Sequence, residues 1–235
     1  MQIAIVLYPG VTALDALGPH EVFHLMPDAE VRFVGAEPGP VAADSGVLFL
    51  GVTHSYAETP APDIVLVPGS SVATATAMAD KELTGWLRRV HETTAWTTSV
   101  CSGALILAAA GILDGVPATT HWLVQSTLGA LGAEPRPDER IVRSGRIVTS
   151  AGVSAGIDLA LWLAGEVHGR ERAEIIQLTI EYDPRPPFDA GHPSKAAERV
   201  RRKARAELLR AGANPREAIA IPQVLWRRAI GAFRA

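Results

Sequence analysis

One cysteine in 235 residues leaves Cys101 without an intrachain disulfide partner and excludes a multi-cysteine zinc site. No apolar run approaches the ~20 residues that a membrane span needs. The opening stretch MQIAIVLYPG carries no basic leader before its Pro-Gly turn, so no signal peptide is expected. A formal net charge of −3 supplies no global field for nucleic acid or an anionic membrane. Internal repeats and low-complexity tracts are also missing. What remains is the profile of a cytoplasmic globular protein: 48% hydrophobic and 20% charged, and long enough for one sizeable α/β domain.

Apolar runs and turn residues alternate along that domain. Ile3 to Leu7 is a continuous apolar run closed by Pro9-Gly10, as expected for a strand buried on both faces. A helix is predicted from Gly18 to about Met26 with Pro19 in its first turn, then a strand at Val31 to Val34. Asp63 to Val67 is a second buried strand, stopped at Pro68-Gly69-Ser70. Asp80 is placed to cap a helix running to about Glu92. Thr97 to Val100 is a strand that runs straight into Cys101-Ser102-Gly103 and an Ala/Leu-rich helix, Ala104 to Ala110. Further on, His121 to about Leu131 reads as helical, and Arg140–Val142 with Arg146–Thr149 as a hairpin across Ser144-Gly145. Ser154 is placed to cap a helix from Ile157 to about His168, and another covers Glu171 to Ile180. Such alternation predicts an open, mostly parallel sheet covered on both sides, undivided before Pro184. Residues 183–193 are irregular. Glu198 to Arg210 is an Arg-rich amphipathic helix, followed after a proline-containing break by an apolar patch from Ile219 to Trp226. Those arginines read either as nucleic-acid contacts or as a solvated or dimer-edge helix face. Acidic residues elsewhere cancel their charge and favour the second reading.

Ligands of parallel α/β sheets gather at the carboxyl ends of the strands. Asp15, Ser70 and Cys101 all follow strands and are expected to converge there. A cysteine between a strand and a helix start meets outward-pointing N–H groups and the positive end of a dipole, which lowers a thiol pKa. The competing reading of Cys101 is a small buried hydrophobe. Asp15 is either an N-cap or an acid within reach of the thiol; in the second case the two titrate as a unit and share a proton. His121 could lie near the site or play a hydrogen-bonded structural part. No metal-ligand spacing occurs, so no metal is expected. Pro68-Gly69-Ser70 lacks the lysine and glycine spacing of a phosphate loop. Its use is to offer the Ser70 N–H, which with that of Ser102 could hold a developing anion.

With these residues identified, the chain resembles the DJ/PfpI superfamily (class I glutamine amidotransferase-like) and, within it, the isocyanide hydratases. The resemblance is carried by Leu14-Asp15 with Gly18-Pro19-His20, Glu37-Pro38-Gly39-Pro40-Val41, Ser45-Gly46, Pro68-Gly69 and Thr98-Ser99-Val100-Cys101-Ser102-Gly103. It continues through Ala118-Thr119-Thr120-His121-Trp122, Ser154-Ala155-Gly156-Ile157-Asp158, and Glu181-Tyr182 with Pro186-Pro187-Phe188. It implies a flavodoxin-like three-layer sandwich over residues 1–195 with a cysteine nucleophile elbow. Residues 196–235 would then be a helical extension packing on the same domain or on a dimer partner. It further implies that Cys101 is a nucleophile and Asp15 its acid/base, hydrating isocyanides to N-substituted formamides through a thioimidate without a cofactor. Ser70 and Ser102 would be backbone donors, with Gly69, Thr120 and His121 in supporting or substrate-binding positions. A homodimer is implied, with no nucleic-acid or membrane partner. Hydratases of this kind carry Thr where Ser102 stands and Gly where Ser70 stands. The absence of a histidine after Cys101 and of a supporting glutamate argues against protease and deglycase activities. A non-catalytic ligand or redox sensor and another cysteine hydrolase are the alternative functions. The same sandwich also heads AraC-type regulators, but about forty remaining residues are too few for their pair of helix-turn-helix units.

Overall fold

The computed structural model describes residues 1–232, with side chains as far as Val224. In chain order the first half comprises β1 (Gln2–Val6), α1 (Ala13–Phe23), β2 (Glu30–Gly35), β3 (Gly39–Ala42), β4 (Phe49–Val52), β5 (His54–Ser55), β6 (Ile64–Val67), α2 (Thr74–Ala79) and α3 (Lys81–His91). The second half comprises β7 (Trp96–Ser99), α4 (Gly103–Ala109), β8 (Pro117–Ala118), α5 (Gln125–Ala130), β9 (Glu134–Pro135), β10 (Ile141–Ser144), β11 (Ile147–Ser150), α6 (Ala155–His168), α7 (Arg170–Thr179), α8 (Glu198–Gly212) and α9 (Pro215–Ala232). Seven strands form the main sheet in the order β10-β11-β7-β6-β1-β2-β5. Every pairing is parallel except β10 with β11. Helix α6 packs against both α1 and α7, and α2 to α5 form a second group, which completes the three layers.

The central strands are apolar because both of their faces are covered. Ile3, Ile5, Ile64 and Leu66 are fully buried, and each such side chain contributes about 1.5–3 kcal/mol relative to exposure. Strand β7 is polar yet buried from Thr97 to Ser99, and its two threonine hydroxyls are paired locally: Thr98 Oγ1 donates to the Val65 carbonyl at 2.9 Å, and Thr97 Oγ1 lies 3.0 Å from Thr94 Oγ1. The sheet grows outward from β1 in two directions, to β2 on one side and to β6 and β7 on the other. The carboxyl ends of β1, β6 and β7 therefore flank the switch point, where an open sheet leaves a crevice.

Several boundaries differ from the sequence reading. Helix α1 starts at Ala13, five residues before Gly18, and keeps Pro19 inside it. Packing on α6 outweighs the lost hydrogen bond: Gly18 has no Cβ, and one would come within 2.9 Å of Ile157. Ser154 occupies the N-cap position of α6 but makes no side-chain cap bond, and the helix opens at Ala155. The segment expected as one helix from His121 is a 3₁₀ turn, Trp122–Val124, leading into α5. The hairpin turns at Gly145-Arg146, one residue later than expected, because Ser144 pairs with Ile147. Strands β3, β4 and β5 were not anticipated. The proline-containing break ends at Pro215, and α9 runs on through Pro222; Trp226 lies outside the described side chains. Asp80 does cap α3, accepting from the N–H groups of Glu82 and Leu83. Among the described residues, no helix is long and apolar enough to cross a membrane.

Candidate active site

Cys101 sits between β7 and α4 with φ +58°, in the left-handed region that an L side chain enters only at a cost. The surrounding backbone enforces the turn. Cys101 N–H donates to the Ala151 carbonyl at 2.8 Å, and the Cys101 carbonyl accepts from Thr120 Oγ1 at 2.7 Å. Gly103 follows because there is no room for more: a Cβ there would overlap the Val67 carbonyl oxygen. Gly103→Ala is expected to destabilise the fold by about 3 kcal/mol, the upper range for overpacking against atoms that cannot yield. Chemical denaturation beside the wild type measures this.

Asp15 lies in the first turn of α1 and is fully buried. It is not an N-cap. Thr12 holds that position, and its hydroxyl donates to Asp44 at 2.6 Å instead of capping the helix. Asp15 Oδ2 accepts from the Gly69 N–H at 2.9 Å. Oδ1 has no hydrogen-bond partner, and the titratable side chain beside the carboxyl is the Cys101 thiol. Burial, opposed by the Gly69 and Cys101 contacts and aided by the charge of Asp44, raises the Asp15 pKa from 3.8 to about 7.

The thiol moves in the direction opposite to that expected from the turn alone. Burial and the adjacent Asp15 charge push Cys101 well above its ordinary value, against the lowering effect of the Ser102 and Val153 N–H groups. Two acidic groups so close cannot both ionise cheaply in a dry site, and the pair holds one negative charge before it takes a second. In that singly charged state one group is an anion and the other a proton donor.

The remaining residues named from sequence lie around this pair. Ser102 N–H faces the sulfur. Its hydroxyl accepts from the Ser70 N–H at 2.9 Å and lies 2.7 Å from Thr74 Oγ1. The Ser70 donor is thus engaged by Ser102 Oγ, while the Ser70 hydroxyl donates to the Gly10 carbonyl at 2.5 Å. Gly69 must be glycine, since a Cβ would lie 2.5 Å from both Ser102 N and Ser102 Oγ. Thr120 acts on the elbow backbone. His121 lines the cavity above Cys101, its Nδ1 accepts weakly from the Leu123 N–H at 3.4 Å, and burial lowers its pKa and keeps the ring neutral. That cavity measures about 320 Å³.

Sequence reasoning missed Val153, whose N–H comes to the sulfur from the loop after β11, and Asp44, which also accepts from Ser71 Oγ at 2.8 Å. It missed Thr74, Leu208, Leu209, Glu217 and Ile221 on the cavity wall as well. None carries a local motif. The one available signal was Asn214-Pro215 with Glu217, a helix-start pattern.

A three-layer sheet with a strained cysteine elbow at its switch point and a buried carboxyl beside it defines a class, and comparison places the chain in it. Residues 1–166 match the DJ-1/PfpI family, and the chain belongs to that family. It is 40% identical over 205 residues to an isonitrile hydratase of Pseudomonas putida, covering 87% of this chain and 89% of the relative. A THiJ/PfpI family protein from Pseudomonas syringae superposes with a TM-score of 0.85 at 36% identity, covering 93% of this chain and 90% of the other. The HTH-type transcriptional regulator CdhR of Pseudomonas aeruginosa is 31% identical over 156 residues, which are 63% of this chain and 43% of the regulator.

Proposed function

We propose that this protein hydrates isocyanides to N-substituted formamides, with Cys101 as nucleophile and Asp15 as acid/base. The observation that carries the reading is the buried Asp15 carboxyl beside the buried Cys101 thiol at the end of the central strands. An isocyanide, R–N≡C, accepts a proton and a nucleophile at the same terminal carbon. The thiol proton of Cys101 passes to the Asp15 carboxylate, and the carboxyl then donates that proton to the isocyanide carbon while the Cys101 thiolate forms the C–S bond, giving the thioimidate R–N=CH–S–Cys101. The carboxylate left on Asp15 removes a proton from water as the oxygen adds to the same carbon and passes that proton to the nitrogen, so that the adduct is R–NH–CH(OH)–S–Cys101 and its hydroxyl proton is the one returned to Asp15 on collapse. Collapse of the tetrahedral adduct breaks the C–S bond and releases R–NH–CHO with the sulfur as thiolate; the proton returned to the pair completes the cycle. Backbone N–H groups of Ser102 and Val153 steady the sulfur's charge, and the Ser70 N–H can contribute once Ser102 Oγ moves aside. No cofactor enters this scheme.

The relative named an isonitrile hydratase supports this chemistry. Likeness to a transcriptional regulator favours a second reading, a ligand sensor in which the cavity binds without turnover. Chromatographic detection of formamide from an aryl isocyanide separates the two: product that depends on Cys101 supports the hydratase, and saturable binding without product supports the sensor. A homodimer and a cytoplasmic location belong to the same proposal.

A further inference from the structure

Helices α8 and α9 lie beyond the 166 residues of the family match, yet they close the cavity over Cys101. The hydroxyls around its floor are already paired within the protein: Thr12 and Ser71 with Asp44, Ser70 with Gly10, and Thr74 with Ser70 and Ser102. They offer a substrate little beyond the reacting groups. Discrimination among R groups therefore falls to the apolar wall, part of which is Leu208 and Leu209 from α8 and Ile221 from α9.

Among the described residues, apolar burial on this wall is confined to Ala220 and Val224 of α9, which packs on α2. Helix α8 has no buried residue, and Leu209 and Ile221 are 54% and 49% exposed. A polar clamp adds the fixed register. Glu217 occupies the third position of α9, after Asn214 at the cap and Pro215, where a glutamate ordinarily turns back to the cap N–H. Here it reaches across to the start of α2 instead. Its carboxylate accepts from the N–H groups of Ala75 and Thr76 and from Thr76 Oγ1, each at 2.7 Å, in a buried position. Asn214 adds a bond from Nδ2 to the Val72 carbonyl at 2.8 Å. The residue just before this grip, Thr74, holds Ser102 Oγ of the elbow. Three successive residues thus join the wall to the reacting site.

We propose that α8 and α9 are the specificity element of the Cys101 cavity: Leu208, Leu209 and Ile221 read the R group, and Glu217 is the positioning residue that sets their distance from the sulfur. The proposal rests on the hydratase reading for the name of its substrate, but not for the geometry of the wall. The test compares cyclohexyl isocyanide with methyl isocyanide. In the Leu209→Ala/Ile221→Ala variant the kcat/KM ratio of large over small substrate should fall roughly tenfold, mostly through KM for the large one. Glu217→Gln cannot accept all three donors and should give a similar fall. Combined with the alanine pair it should add little, since both act through one wall. A ratio within about twofold of wild type for the alanine pair, whose half-exposed sites tolerate substitution, overturns the proposal even if Glu217→Gln fails to fold. If wild type turns over neither isocyanide, the hydratase reading fails and the wall is tested by alkylation of Cys101. The rate ratio of N-benzyliodoacetamide over iodoacetamide should then drop in the alanine pair, and an unchanged ratio rejects the wall.

Discussion

Cys101→Ala is expected to cut formamide production on the order of 10⁴-fold or more, because the C–S bond that splits the hydration into two steps can no longer form. The protein should remain folded. The left-handed turn is held by backbone partners and by Thr120, none of which uses the sulfur, and alanine meets the same φ with no larger side chain. Thermal melting beside the activity assay separates loss of chemistry from loss of structure. A variant that retained substantial turnover would place the nucleophile elsewhere or show a direct attack by water.

Asp15→Asn has a double signature. The amide oxygen can keep the Gly69 bond, but no proton cycles through an amide, so activity should fall by about 10²–10⁴-fold. Stability should move the other way. A carboxyl whose folded pKa stands at about 7, above its unfolded 3.8, favours the protonated folded state. The cost of folding around its charge appears as pH rises past 3.8 and is complete above about 7. That rise in pKa corresponds to at most about 4 kcal/mol. Asp15→Asn should thus match the wild type near pH 4, gain on it progressively up to pH 7 and keep a constant advantage above that, read from denaturant midpoints across that range. Equal midpoints at all pH values would mean that Asp15 is not held neutral by its burial.

Much of the architecture is visible in the sequence because burial on both faces writes itself as apolar runs. Ile3 to Leu7 and Ile64 to Val67 end at Pro-Gly turns, and Asp80 announces its helix. The convergence of Asp15, Ser70 and Cys101 follows from strand order, which right-handed crossovers make predictable. Other features are set by contacts that no local pattern records. Helix α1 begins at Ala13 because Gly18 meets Ile157, a residue far along the chain. The direction of the thiol's pKa depends on how dry its surroundings are, and a helix-start argument treats only one of the opposing effects. Val153 contributes a backbone N–H, which any residue type could supply. Glu217 resembles an ordinary first-turn glutamate until α2 is seen beside it.

Cys101 and Asp15 are proposed to act as one unit holding a single charge. This is tested most directly by the pH dependence of kcat/KM for an aryl isocyanide, from about pH 5 to 9, in wild type and Asp15→Asn. The wild type should show a limb that rises through about pH 7 as the pair loses its first proton, and the residual activity of Asp15→Asn should show no such limb. A wild-type profile flat through pH 7, or the same limb in both proteins, would contradict it.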